Sequence, residues 1–137
     1  MSRFQKFLNQ LAVVLEFTQL KPDKHGACLI IMKANNVPLL FEFDDQLVPN
    51  SILVSCPVTS IQYGYENVAL TACLKRNELI EETLSKKPDE EQIYLHRRIH
   101  PGILSEDLKP IVDHFIETVL ASKQELETLQ RPMAKEG

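Results

Sequence analysis

Apolar residues near the start of the chain recur at steps of three and four positions. Phe4, Phe7, Leu8 and Leu11 are part of this series, which continues through Val14 and Leu15 with polar residues between. This period is that of one face of a helix, so the sequence predicts an amphipathic helix of about 14 residues. The helix is expected to end before Pro22, because a proline disfavours helical backbone in the residue before it.

The pattern then changes to short apolar runs that are typical of strands. Residues 27–32 and 37–43 form two such runs, and the asparagine-containing segment 33–36 between them favours a tight turn. Residues 52–58 form a third run, in which Pro57 indicates an edge or an irregularity. The sequence therefore predicts three consecutive strands.

The second half of the chain predicts two helices with two strands between them. A compact helix is expected from Glu66 to about Arg76, after a break at Gly64. A period close to two over 79–84 and 92–99 predicts two strands, joined by the charged loop 86–91. In the later strand, Ile93, Leu95, Arg97 and Ile99 share one face.

A helical stripe from Leu108 to Leu129 predicts the last helix. Proline is tolerated in the first turn of a helix, where no intrahelical donor is needed. We therefore expect Asp107 to be the N-cap, which places Pro110 in that turn, and we expect Arg131-Pro132 to end the helix.

The order of elements predicts one α+β domain with an antiparallel sheet packed against helices. We expect this domain to occupy residues 1–130, followed by a frayed C-terminal tail at 131–137. A chain of 137 residues suits a single core.

Composition excludes several classes of function. The net charge of −4 gives no positive field for nucleic acid, so we expect no direct nucleic-acid binding. The three cysteines, Cys28, Cys56 and Cys73, have apolar neighbours and form no CxxC pair, which favours a reducing compartment. The N-terminus lacks a signal-peptide core and no apolar run is long enough for a membrane span. These features together predict a cytoplasmic protein.

No catalytic or cofactor site is evident. His96 and His100 on a strand lie about 13 Å apart at ~3.3 Å per residue, too far to share a metal ion. Neighbouring carboxylates such as Glu81 and Glu82 point to opposite sides of a strand and do not converge on a cleft. Burial would raise the pKa of the thiols and make them poor nucleophiles. We therefore expect no enzyme activity, cofactor or metal, and a His100 or His114 imidazole beside a thiol would argue otherwise.

Two surface features leave alternatives open. The basic cluster His96-Arg97-Arg98 is either a solvated strand face or a docking surface for an acidic segment. Apolar residues occupy both alternating sets of the second strand, so either one core holds them all or some face a protein partner.

The whole arrangement resembles the class I chaperones of type III secretion systems, the Tir chaperone family. The matching stretches are segments 7–12, 37–45 and 52–58, together with 93–99 and the acidic helix start at 105–108. They span essentially residues 4 to 129. The segment 21–26 is similar to the smaller subunit of heterodimeric chaperones that serve the secretion gatekeeper protein.

The resemblance implies a dimer that holds a secreted protein's chaperone-binding segment extended, without ATP. It implies a client-binding groove that involves the following residues: Phe4, Phe7, Leu8, Leu11, Phe41, Phe43, Leu53 and Val54. It also implies a dimer interface on the second helix and the late hairpin, with Val68, Leu70, Leu74, Tyr94 and Ile99.

The sequence departs from the family pattern at the second helix, which is short and polar at its end (residues 75–78). We therefore expect a heterodimer with a related chaperone, with a homodimer as the alternative. A second functional hypothesis is a regulatory module that contacts transcription machinery.

Overall fold

The computed structural model describes residues 2–44 and 51–131, which contain three helices and five strands. In chain order these elements are α1 (Arg3–Leu15), β1 (Ala27–Ile31), β2 (Pro38–Asp44), β3 (Ser51–Ser60), α2 (Glu66–Asn77), β4 (Thr83–Lys86), β5 (Gln92–Ile99) and α3 (Ser105–Leu129). The predicted α+β class and the predicted order of elements are confirmed. Residues 45–50, between the second and third predicted strands, and residues 132–137 of the predicted tail lie outside the described residues.

Helix α1 has defined signals at both ends. The Ser2 hydroxyl accepts a hydrogen bond from the main-chain N–H of Gln5 at 3.0 Å, which caps the first turn. Glu16 adopts a left-handed conformation with φ of 62°, and its N–H bonds back to the last turn. This conformation ends the helix well before Pro22.

The five strands form one antiparallel sheet in the order β1-β2-β3-β5-β4. The register between β3 and β5 shifts between Pro57 and Thr59, so the predicted irregularity at Pro57 is a β-bulge. Strands β1 and β4 are the two edges. Because side chains alternate along each strand, every strand contributes to both faces of the sheet.

Helices α1 and α3 pack together on one face of this sheet, which we call the inner face. The inner face carries the buried residues Ile30, Leu39, Phe41, Val54 and Leu95. Helix α2 packs at the side, against β4 and α3. Within residues 2–44 and 51–131 no helix covers the opposite, outer face.

Strand β4 begins four residues later than the sequence predicts. Leu79 is 84% exposed and lies in a turn, and the strand begins at Thr83. The later start follows from Arg97, which lies on the inner face of β5 between Leu95 and Ile99. A charged side chain on this face needs a counter-ion from the segment beside it. Glu82 supplies it: its Oε2 accepts a hydrogen bond from Arg97 at 3.0 Å, and its side chain is fully buried.

Helix α3 begins at Ser105, two residues before the predicted N-cap Asp107. The carbonyl of Leu104 accepts hydrogen bonds from the N–H groups of both Asp107 and Leu108, and Leu108 is fully buried. Pro110 is therefore inside the helix, at an exposed position. The prediction of Asp107 as N-cap is wrong, because burial of Leu108 extends the helix and solvent can hydrate the carbonyl that Pro110 leaves unpaired.

The turn into β1 depends on Asp23. Its main-chain N–H donates to the carbonyl of Ala27 at 2.7 Å, and its Oδ1 accepts from the N–H of Ala27 at 3.0 Å and of His25 at 2.8 Å. These main-chain donors, Ala27 first and His25 second, lower the pKa of Asp23 from its ordinary value of 3.8.

We expect the Asp23 turn to open only when the pH falls below the ordinary carboxyl pKa of 3.8. A carboxyl whose pKa is lowered on folding stabilises the folded state above its ordinary pKa, and this stabilisation is lost as the pH falls through the lowered value. The Ala27 amide resonance, followed by NMR against pH, should therefore titrate with a midpoint below 3.8. In Asp23→Asn the same resonance should show no such transition, and a midpoint at or above the ordinary value would contradict this account.

The ion pair between Arg97 and the buried Glu82 should contribute strongly to the stability of the fold. Glu81 and Glu82 both accept from Arg97 at 3.0 Å, but the Glu81 side chain is 75% exposed and the Glu82 side chain is 0% exposed. Glu82→Ala should lower the free energy of unfolding by about 3 kcal/mol, because it leaves a charge on the inner face without its buried partner. Glu81→Ala, the matched control, should cost less than about 1 kcal/mol. Urea unfolding measures both, and equal losses would contradict the assignment.

Candidate protein-binding surfaces

Most of the side chains predicted to bind a client lie in the core. Helix α1 packs its apolar face on the inner face of the sheet, where the Phe7 ring lies 5.9 Å from the Phe41 ring. Six of the eight are at most 6% exposed: Phe4, Phe7, Leu8, Leu11, Phe41 and Val54. They stabilise the fold and line no open groove, because a client could reach them only if α1 left the sheet.

The other two predicted client-binding residues, Phe43 and Leu53, are half-buried and lie on opposite faces. Phe43 is on the inner face, with its ring 6.2 Å from that of Phe4. Leu53 is on the outer face, where it pairs with Glu42 of β2 and Arg98 of β5. The structure therefore does not bring the predicted groove residues together on one surface.

Sequence reasoning missed the exposed apolar residues of β1. Leu29 is 61% exposed and Ile31 is 53% exposed, and both point to the outer face. Leu29 pairs with the half-buried Leu40, which extends the apolar area toward Leu53. The nearly continuous apolar run of this strand could not indicate that Leu29 and Ile31 are exposed, because periodicity alone cannot say which face of a strand is covered.

The main chain of β1 is open along the edge of the sheet. In an antiparallel pair, alternate residues direct their N–H and C=O groups toward and away from the neighbouring strand. The outward groups of Ala27 are bonded to Asp23, so Leu29 and Ile31, two and four positions later, also direct their groups outward. No residue in the described part of the chain bonds to these groups of Leu29 and Ile31. They form a site to which another strand can hydrogen-bond.

The outer face becomes polar on its other side, at β5 and β4. His96 Nε2 lies 3.1 Å from the Ser85 hydroxyl, and Lys87 lies 4.5 Å from the centre of the Tyr94 ring. Burial, and secondarily the charge of Arg98, lower the pKa of His96 from 6.5, which favours its neutral form. Of the predicted basic cluster, His96 and Arg98 lie here, whereas Arg97 points to the inner face.

Helix α2 exposes apolar residues on both flanks of its buried side, with Val68 on one flank and Leu70 and Leu74 on the other. Ala69 and Cys73 are its two buried residues, whereas Val68, Leu70 and Leu74 are 46%, 36% and 69% exposed. An apolar groove of about 520 Å³ runs between α2 and α3. Its lining residues are Asn67, Val68, Thr71, Ala72, Lys75, Glu125 and Leu129. Such an exposed apolar surface is typical of a protein–protein interface.

The predicted dimer-interface residues therefore divide into two groups. Val68, Leu70 and Leu74 are exposed on α2, where a partner can reach them. Tyr94 is half-buried on the outer face of β5. Ile99 is 3% exposed on the inner face and belongs to the core, so it is unavailable to a partner.

The cysteines and histidines show no catalytic arrangement in the described residues. Burial raises the pKa of Cys56 to about 11 and also raises the pKa of Cys28 and Cys73, as predicted. His114 Nε2 lies 3.6 Å from Glu82 Oε1, and His100 Nδ1 accepts from the N–H of Gly102. Across 2–44 and 51–131 no cluster of His, Cys, Asp or Glu has the geometry to hold a metal ion.

None of the helices in the described ranges combines the length and the apolarity that a membrane crossing requires. No protein-family model matches the chain, and no curated protein matches it significantly. Similarity is instead found among solved structures.

A chain of the HopA1–SchA chaperone–effector complex is 15% identical, with a TM-score of 0.71 over 89% of this chain and 94% of that one. The Yersinia pestis type III secretion chaperone SycH, in complex with a stable fragment of YscM2, has a TM-score of 0.65 at 10% identity, over 86% and 98% of the two chains. YbjN from Escherichia coli, a candidate transcription regulator, has a TM-score of 0.67 at 15% identity, over 92% and 96%. The chain therefore has the fold of the type III secretion chaperones, which confirms the fold that the resemblance implied.

Proposed function

We propose that this protein is an ATP-independent type III secretion chaperone that holds the N-terminal chaperone-binding segment of a secreted protein extended. The open edge of β1, beside exposed Leu29 and Ile31, is the observation that carries the proposal. An extended client segment that adds to this edge would form main-chain hydrogen bonds with it. The binding needs no ATP, because strand addition is a reversible equilibrium driven by these bonds and by apolar contact.

The side chains around the edge suit an extended client. In an added strand, alternate side chains would point to the two faces of the sheet. Those on the outer face would contact Leu29 and Ile31, and would cover apolar surface that is exposed in the free chain. A segment held in this way cannot form its own secondary structure, which is the state that secretion requires.

A cavity beside the end of β1 offers a place for a client side chain. It measures about 450 Å³ and lies between the end of α1 and the β1–β2 turn. Leu15, Phe17 and Met32 supply its apolar lining, and Glu16, Thr18, Lys33 and Ala34 complete it. An aliphatic client side chain would fit this lining and would fix the position of the strand along the edge.

We further propose that α2 binds a second chaperone subunit. Helix α2 buries only two residues in its own chain and exposes Val68, Leu70 and Leu74. A partner that covers these residues would remove from water an apolar surface that now faces it. The preference for an unlike partner rests on the charged end of α2, at Lys75 and Arg76, and on the resemblance to the smaller subunit of gatekeeper chaperones. The secretion gatekeeper is accordingly the client that we propose.

Client binding is tested by co-expression with secreted proteins of the same cell, the gatekeeper included, followed by purification of the complex. Ile31→Pro should reduce recovery of the client by about tenfold or more, because proline removes one outward main-chain donor at the edge. Ile31→Thr keeps that donor and loses apolar area, so it should reduce recovery less. Equal recovery with the wild-type chain and Ile31→Pro would contradict strand addition at β1.

Assembly is tested by the mass of the native complex from its own cell, measured by size exclusion with light scattering. We expect a complex of this chain with a different subunit, and Leu74→Arg should dissociate it because a charge would replace the exposed centre of the α2 surface. Val13→Arg is the matched control, since Val13 is 79% exposed on α1, away from α2. A complex of two identical chains would overturn the heterodimer, and a complex that survives Leu74→Arg would exclude the α2 interface.

The similarity to YbjN favours a second candidate, a regulatory module that binds transcription machinery. The same co-expression experiment separates the two. Recovery of RNA polymerase or a regulator, with no secreted client, would support the regulatory function and contradict the chaperone.

A further inference from the structure

Strand β4 is the second edge of the sheet, and it differs from β1 because its outward main-chain groups at Leu84 are bonded within the chain. Leu84, at the centre of β4, lies opposite Leu95 of β5. Its main-chain N–H and C=O groups point away from β5, toward the place where a sixth strand would lie. Such outward groups normally pair with any available strand, as those of β1 can.

At β4 this place is occupied by the side chain of Asn77, the last residue of α2. Asn77 Oδ1 accepts a hydrogen bond from the N–H of Leu84 at 2.8 Å, and Asn77 Nδ2 donates one to the C=O of Leu84 at 3.1 Å. The carboxamide of asparagine presents an N–H donor and a C=O acceptor side by side, as the N–H and C=O of one residue of a neighbouring strand do. The Asn77 side chain therefore makes both of the bonds that a neighbouring strand would make with Leu84.

The end of α2 is held in place for this contact. Arg76, the residue before Asn77, donates from Nε to the Ser122 hydroxyl of α3 at 2.9 Å and forms an ion pair with Glu125. Two residues after Leu84, Lys86 also directs its main-chain groups outward, but its Nζ bonds to the carbonyls of Lys87 and Pro88 in the adjoining turn. A charged side chain and a proline next to an edge both discourage strand addition.

We propose that Asn77 is a specificity-determining residue that closes β4 to extended peptides, so that strand addition takes place at β1. This inference rests on the proposed function, because it explains how an extended client segment is directed to β1 and away from β4. It concerns a different residue and a different strand, and it is tested separately.

The test uses the full chain and a soluble probe. The probe is a peptide of about ten residues with alternating threonine and isoleucine, N-methylated on one edge so that it cannot pair with itself. Its binding is measured by isothermal titration calorimetry to four proteins: wild type, Ile31→Pro, Asn77→Ala and the double variant. Glu66→Ala, at the exposed start of the same helix and outside the α2–α3 groove, is the matched control for Asn77→Ala.

We expect one peptide per chain for wild type and Glu66→Ala, none for Ile31→Pro, two for Asn77→Ala and one for the double variant. The second site should bind at least about tenfold more tightly in the double variant than in Ile31→Pro, because Leu84 regains two unpaired groups. Adding Lys86→Pro to the double variant should abolish that binding, since proline removes the adjacent outward donor.

The two proposals fail in different ways. If wild type binds no peptide, strand addition at β1 is wrong, while the comparison of the double variant with Ile31→Pro still decides the role of Asn77. If the folded double variant binds no more peptide than Ile31→Pro, the role of Asn77 is wrong, whatever wild type does. Circular dichroism establishes folding, and Asn77→Ser, whose hydroxyl is too short to bond both groups of Leu84, replaces Asn77→Ala if the alanine variant unfolds.

Discussion

The structure depends on one constraint: a sheet has two faces, and across residues 2–44 and 51–131 helices cover one of them. Helices α1 and α3 lie together on the inner face, where they bury Phe7, Phe41 and Phe115 completely or nearly so. A domain of this size can be stable with a single apolar layer between helices and sheet. The outer face and the β1 edge are then left for other molecules, and every surface proposed above lies outside that layer.

The same constraint explains which predictions from the sequence were correct. Element types and order follow from local periodicity, and α1, α2, α3 and the central strands have clear patterns. Periodicity does not say where a helix will lie, so it could not separate Leu39, which faces α1 and α3, from Leu29, which faces solvent. The predicted client-binding residues of α1 were identified by their apolar pattern, which is the pattern of a core. Local patterns also failed where a contact between residues far apart in the sequence sets the start of an element. Glu82, paired with Arg97, precedes β4, and the buried Leu108 lies near the start of α3.

Similarity to known chaperones at 10–15% identity, without a matching family model, has a physical explanation. Cores tolerate many exchanges among apolar residues when volume and pattern are kept. What this chain retains is the alternation along the strands, the helical stripes and the position of the turns. The residues to which we assign binding and its specificity, Ile31 and Asn77, are not buried core residues, so the fold does not fix their identity.

The position of Asn77 at the end of α2 connects the assembly of the complex with the solubility of its parts. One side of α2 carries Leu70 and Leu74, and the end of the same helix holds the β4 edge shut. Within its own chain, α2 is held by buried Ala69 and Cys73, by the Arg76 contacts and by the two Asn77–Leu84 hydrogen bonds. Loss of α2 would expose an apolar surface and a strand edge at once, and both promote aggregation. If α2 binds a second subunit as proposed, synthesis of both subunits at the same time and place would keep this apolar surface and this strand edge covered.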